Sequence, residues 1–236
     1  MKRKKQMFVL VPVYLSFLFI FILIGILGSK AITVLSESRP PTYTHTYIID
    51  AGHGGVDGGA TSVSGVLESH INLSIAQKLN DVMRLLGMQT VMILTENISV
   101  YTEGNSIAAK KISDLKQRVK LVNNTPGAVL LSIHQNHFTD SKYAGAQVFH
   151  ATTPDSRELA EKMQKILTKM TATDRNIKPV KGVYLMQEVA CPAVLIECGF
   201  ISNVQEEALL LSDAYQLKIS GIIACSCSEY FNASIA

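Results

Sequence analysis

Ala128-Val129-Leu130-Leu131-Ser132-Ile133-His134 is a nearly continuous apolar run that ends on a histidine. A strand with one face in water alternates apolar and polar residues. A strand without that alternation is covered on both faces, as in the sheets of α/β domains. Working outward, Thr46–Asp50 reads as a first strand and Gln89–Thr95, centred on Val91-Met92-Ile93-Leu94, as a second. Ala146–His150, Gly182–Leu185 and Ala193–Glu197 read as further short strands. From Glu68 to Leu86, apolar residues at Ile71, Ile75, Leu79, Val82, Met83 and Leu86 have helical spacing, and Gly87 stops the helix. After a polar loop from Glu96 to Ile112, Ser113 can cap a helix through Asn124 that Pro126 and Gly127 end. Thr153-Pro154 opens a helix to about Met170. Asn203 with Glu206 has the form of a capping box before helical segments at the C-terminus. This order predicts an α/β fold over 46–236: a single domain with a mostly parallel twisted sheet flanked by helices.

Ahead of that domain, Lys2, Arg3, Lys4 and Lys5 precede the uncharged stretch Met7–Gly28. As a helix this stretch is about 33 Å long, enough to span a bilayer. Its basic flank is expected to stay in the cytoplasm, so the rest of the chain is exported. Residues 1–31 are read as a signal peptide or membrane anchor: the length favours an anchor, and Ser29-Lys30-Ala31 has the form of a cleavage site. Residues 32–45, with Pro40-Pro41, read as a linker. Five of the 22 basic residues (Lys2, Arg3, Lys4, Lys5 and Lys30) lie in the leader, leaving 17 against 19 acidic ones. The resulting formal charge of −2 gives no sign of a nucleic-acid partner. Cys191, Cys198, Cys225 and Cys227 form no C-x-x-C pair and read as small apolar residues, although export would permit disulfides.

In α/β sheets, ligands bind outside the carboxyl ends of the strands. Asp50-Ala51-Gly52-His53-Gly54-Gly55 follows the first strand, and its glycines let backbone approach a ligand closely. A dinucleotide loop needs G-x-G-x-x-G, and here the last position is Asp57; the Gly-Lys-Ser/Thr of a Walker loop is absent. Glu68 opens a helix, where a carboxylate also suits the helix dipole. His134 ends one apolar strand and Glu197 another, and a carboxylate there needs a cation, a donor or water. Together these residues put two histidines and two carboxylates on one edge of the sheet. His53, Glu68 and His134 make a His₂Glu zinc set, with Glu197 left as the proton carrier. His137, three positions from His134, points to the other face of an extended chain and makes a poor fourth ligand. Arg118 reads as a surface helical arginine, with binding of a substrate carboxylate or sugar as the alternative.

Several motifs carry a family resemblance. They are Ile49–Gly55 with Asp57 and Gly59-Ala60, Glu68 with Asn72, Ser132-Ile133-His134 with Asn136, and Ile196–Asn203. The chain resembles the zinc-dependent N-acetylmuramoyl-L-alanine amidases of the Amidase_3 type across essentially all of 46–231. Asp114–Leu121 and Gly182–Gln187 make it similar to the spore-cortex, germination-related amidases of endospore formers. The resemblance implies zinc held by His53, Glu68 and His134, with Glu197 as the catalytic carboxylate. It implies hydrolysis of the amide between N-acetylmuramic acid and L-alanine in peptidoglycan. It also implies a role in muramic-δ-lactam formation at the forespore cortex, and an extracytoplasmic lipoprotein partner. Two departures stand out: Asp-Ala-Gly-His replaces Asp-Pro-Gly-His, and Gln135 and His137-Phe138 replace small residues around Asn136. The alternatives are a vegetative wall enzyme of the same chemistry, a non-catalytic peptidoglycan-binding module, and a membrane-anchored nucleotide-binding protein.

Overall fold

Six strands form one sheet in the order β2-β1-β3-β6-β4-β5 in a computed structural model that describes residues 45–171 and 173–233. The leader and residues 32–44 of the expected linker lie outside the described residues. The strands are β1 (Thr46–Ala51), β2 (Gln89–Met92), β3 (Ala128–Asn136), β4 (Gln147–His150), β5 (Lys178–Pro179) and β6 (Ala193–Phe200). The helices are α1 (Glu68–Leu85), α2 (Ile107–Asn123), α3 (Ser156–Met170), α4 (Tyr184–Glu188), α5 (Val204–Leu210) and α6 (Asp213–Ala233). β2, β1, β3 and β6 run parallel, whereas β4 joins β6 antiparallel and carries β5 parallel to itself. The sheet is therefore mixed, with its parallel part central.

The apolar runs do what their lack of alternation demands. Tyr47, Ile49, Val129, Leu131, Ile133, Val194 and Ile196 face a core built with α1, α3 and α6. Their neighbours Ile48, Leu130 and Leu195 face a smaller core with α2 and α4. Both sets are buried, and each such side chain contributes about 1.5–3 kcal/mol of burial. Truncating Leu131 to alanine at the centre is expected to cost about 2–5 kcal/mol. The second face carries the chemistry: going up the strands it passes from Ile48 to Asp50, from Leu130 through Ser132 to His134, and from Leu195 to Glu197.

Three local expectations need correction. α2 begins at Ile107, one and a half turns before Ser113, because Ser106 Oγ accepts a hydrogen bond from Ala109 N. Ser113 Oγ instead accepts from the backbone of Thr102 and Glu103, and so pins the preceding loop. Gly182–Leu185 does not form a strand; Val183 starts the single-turn helix α4, which buries Leu185 and Met186. Asn203 does cap α5, accepting from Gln205 N and Glu206 N. The return half of the box is missing, because Glu206 reaches Gly145 N and Phe200 N instead. All four cysteines are free.

Candidate active site

The site sits on the carboxyl edge of β1, β3 and β6. His134 and Glu197 are register partners on adjacent strands, so their Cα atoms are about 4.8 Å apart. His53 lies two residues past β1 and Glu68 is the first residue of α1. Backbone carbonyls of Gly58 and Ala60 take the N–H groups of Ser69 and Glu68. The helix start is thus satisfied by the loop, and the buried Glu68 side chain turns to the two histidines.

Glu68 bridges the two imidazoles. Its Oε2 lies 3.2 Å from His53 Nε2, and its Oε1 lies 3.0 Å from His134 Nδ1. The two rings stand edge to face with centroids 5.0 Å apart. One donor atom from each of the three residues falls within 4.8 Å of the other two. Further donors hold the carboxylate: Ala60 N on Oε2, and Gln135 N and Asn72 Nδ2 on Oε1. Asn72 is itself held by Gln135 Nε2 at 3.1 Å. Burial resists ionisation of Glu68, but hydrogen bonds and charge from His134 and His53 outweigh it and hold the carboxyl far below its usual range. For His53, burial favours the neutral ring. The hydrogen bond and charge of Glu68, then those of Asp57, reverse this and raise its pKa to about 9.

His53 Nδ1 meets Asp57 Oδ2 at 3.0 Å, and Asp57 also pairs with Lys111 at 2.8 Å. An imidazole whose second nitrogen is fixed by a carboxylate is the usual form of a metal-ligating histidine. Two imidazoles and a carboxylate are also a donor set that suits zinc. The residues present therefore fit such an ion.

The loop pays for this geometry in backbone strain, since His53 has φ 65°, a left-handed conformation that costs a non-glycine residue about 1–3 kcal/mol. Arg118 holds it there. The residue is buried, contrary to the surface placement expected from sequence. Its guanidinium donates to Asp114 Oδ2 (2.7 Å), Asp50 Oδ1 (2.6 Å) and the carbonyls of Ala51 (2.9 Å) and His53 (2.6 Å). Every donor bond in this network goes to protein, so Arg118 positions the His53 loop. Two glycines make room: a Cβ on Gly52 would lie 2.2 Å from His134 Nε2, and one on Gly59 would lie 2.6 Å from Glu68 Oε2.

Glu197 is different. Its Oε2 is buried without a hydrogen-bond partner. Burial, reinforced by the nearby charge of Glu68 and opposed by His134 and His53, pushes its pKa up to about 7. A cation held by the neighbouring ligands would draw it down. Glu197, His53 and His134 line one cleft of about 380 Å³. The exposed His137 stands outside the cluster. Asp57, Asn72, Gln135 and Arg118 were not singled out from sequence for their supporting roles. Asp57 and Asn72 belong to the family motifs, Arg118 lies in the stretch Asp114–Leu121 and Gln135 marks a departure from the family pattern, but their contacts leave no trace in the sequence.

The model of the Amidase_3 family, N-acetylmuramoyl-L-alanine amidase, matches residues 48–227. The chain belongs to this family. It is an amidase of α/β fold. It is 33% identical over 224 residues to the germination-specific N-acetylmuramoyl-L-alanine amidase of Bacillus subtilis (strain 168), covering 92% of this chain and 94% of that one. The CwlD amidase from Clostridioides difficile, solved in complex with the GerS lipoprotein, superposes with a TM-score of 0.77 at 36% identity, over 80% of this chain and 99% of that one. The catalytic domain of CwlV, an N-acetylmuramoyl-L-alanine amidase from Bacillus (Paenibacillus) polymyxa var. colistinus, does so with a TM-score of 0.69 at 30% identity, covering 80% and 98%.

Proposed function

We propose that the chain hydrolyses the amide between the lactyl carbonyl of N-acetylmuramic acid and L-alanine in peptidoglycan. His53, Glu68 and His134 hold zinc, and Glu197 moves the proton. The observation that carries this is the convergence of three donor atoms within 4.8 Å of one another, with a carboxylate at the same cleft that keeps one buried, unpartnered oxygen. Bound zinc supplies Lewis acidity, which activates water and polarises the carbonyl oxygen. Glu197 accepts the proton from the attacking water and returns it to the departing amine. A carboxylate with one free buried oxygen suits this exchange, since no protein donor competes for the proton. Arg118, through His53 O, and Asp57, through His53 Nδ1, keep the first imidazole aimed at the cleft.

The germination-specific relative supports a role in the spore cortex, where amide cleavage frees muramic acid for δ-lactam formation. The relative solved with a lipoprotein supports an extracytoplasmic lipoprotein partner. Residues 1–31 act as the export signal or anchor, 32–45 as the linker and 46–236 as the catalytic domain. The test is mass analysis of products released from purified peptidoglycan by the full-length protein. Expected products are peptides with a free N-terminal alanine and glycan with free muramic carboxyls. Release of sugars, or of peptides cut between stem residues, would contradict the reading.

A further inference from the structure

A second groove of about 460 Å³ meets the first at Glu197 and contains neither histidine. It crosses the antiparallel side of the sheet. Leu195 of β6, Phe149 of β4 and Lys178 of β5 are successive register partners, so they lie side by side on its floor. Pro179, Val180 and Lys181 form part of its wall. Lys178 and Lys181 are exposed, and neither has an acidic partner among the described residues. Apart from Glu197, the residues lining the groove are apolar or cationic. The first cleft differs: it offers Ser99, Asp57 and Tyr184, its Lys111 is already neutralised by Asp57, and its Lys110 lies over the Tyr101 ring.

We infer that the second groove binds the leaving peptide, with Lys178 and Lys181 selecting stem peptides that carry a free carboxylate near their N-terminus. This deepens the proposed amidase reading and rests on it. Three features support the assignment. First, Glu197 protonates the departing nitrogen and lines both grooves, so the leaving chain passes beside it, and of the two grooves the second is the one that runs clear of the histidines. Second, the released peptide bears an ammonium at one end and carboxylates further along. The groove presents a carboxylate at its mouth and two cations at its far end, which matches that polarity. Third, its length fits. Two inter-strand spacings separate β6 from β5, roughly 10 Å, or about three extended residues. The apolar floor suits short aliphatic side chains, whereas a glycan would favour neutral hydroxyl groups such as those of Ser99 and Tyr184, which line the first cleft and not this groove.

The test uses full-length protein and two muropeptide substrates that differ only in having the stem carboxyls free or converted to amides. For the natural protein, KM is expected to be about fivefold lower on the free acid, the scale of two solvent-exposed charge contacts. Lys178→Gln/Lys181→Gln, which changes only exposed side chains, is expected to erase that discrimination and raise KM on the free acid, with kcat holding within about twofold. Equal KM values for the natural protein, or full discrimination by the double variant, would overturn the groove assignment alone. Failure of the natural protein to cleave either substrate would overturn the amidase reading and this inference with it.

Discussion

Glu68 and Glu197 are the same residue type, near enough for the charge of one to act on the other, yet they sit in opposite surroundings. Glu68 is saturated: two imidazoles, two backbone N–H groups and one side-chain amide meet its two oxygens. Glu197 keeps a buried oxygen that nothing meets. The first is locked as an anion, and a locked anion can hold a cation. The second has an oxygen for which no protein donor competes, which leaves it open to take up and return a proton as a carboxylate tied to several donors is not. Pairs of carboxyls driven apart in this way divide catalytic labour between them.

The strongest way to break the contrast is to remove the anchor of the metal set. His134→Ala is expected to abolish both zinc retention, read by metal analysis, and peptide release. Next, Glu197→Gln keeps shape and loses the proton site, so kcat is expected to fall by about 10³, with bound zinc unchanged. If this variant cleaved peptidoglycan at the natural rate, the division of labour would be wrong.

Acidity sharpens the comparison further. The pKa of His53 is raised to about 9, so below that pH a proton occupies the ring and zinc must displace it. Zinc affinity is therefore expected to rise by up to about tenfold per pH unit between pH 7 and 9 and to level off above, as measured by competition with a chelator. The sign for stability runs the other way. A raised folded-state pKa stabilises the metal-free protein fully below the unfolded value near 6.5, and that contribution fades as pH climbs through 9. The smallest effect comes from loosening Glu68 without removing it. Asn72→Ala deletes one donor to Oε1, and zinc affinity is expected to drop about tenfold.

Much of this was legible in the sequence because the signals were local. β3 and β6 announce themselves as apolar runs, and His134 and Glu197 stand out because each is a polar residue closing such a run. Long-range partnerships left no such mark. Arg118 reads as an ordinary surface residue four positions from Asp114, and its decisive partner Asp50 is 68 residues away. The relay from Gln135 to Asn72 to Glu68 joins residues up to 67 positions apart whose contact no local pattern reveals. The first turns of α2 were hidden because Ile107 and Ile112 face solvent, which spoils the apolar period. α4 is a single turn and too short for any period to register.

The most direct test of the central claim is a crystal structure of the zinc-loaded protein with anomalous data at the zinc edge. The account predicts one ion ligated by His53, Glu68 and His134, with Glu197 beside it but outside its coordination. An ion ligated by Glu197 in place of Glu68, or zinc bound only elsewhere, would contradict it.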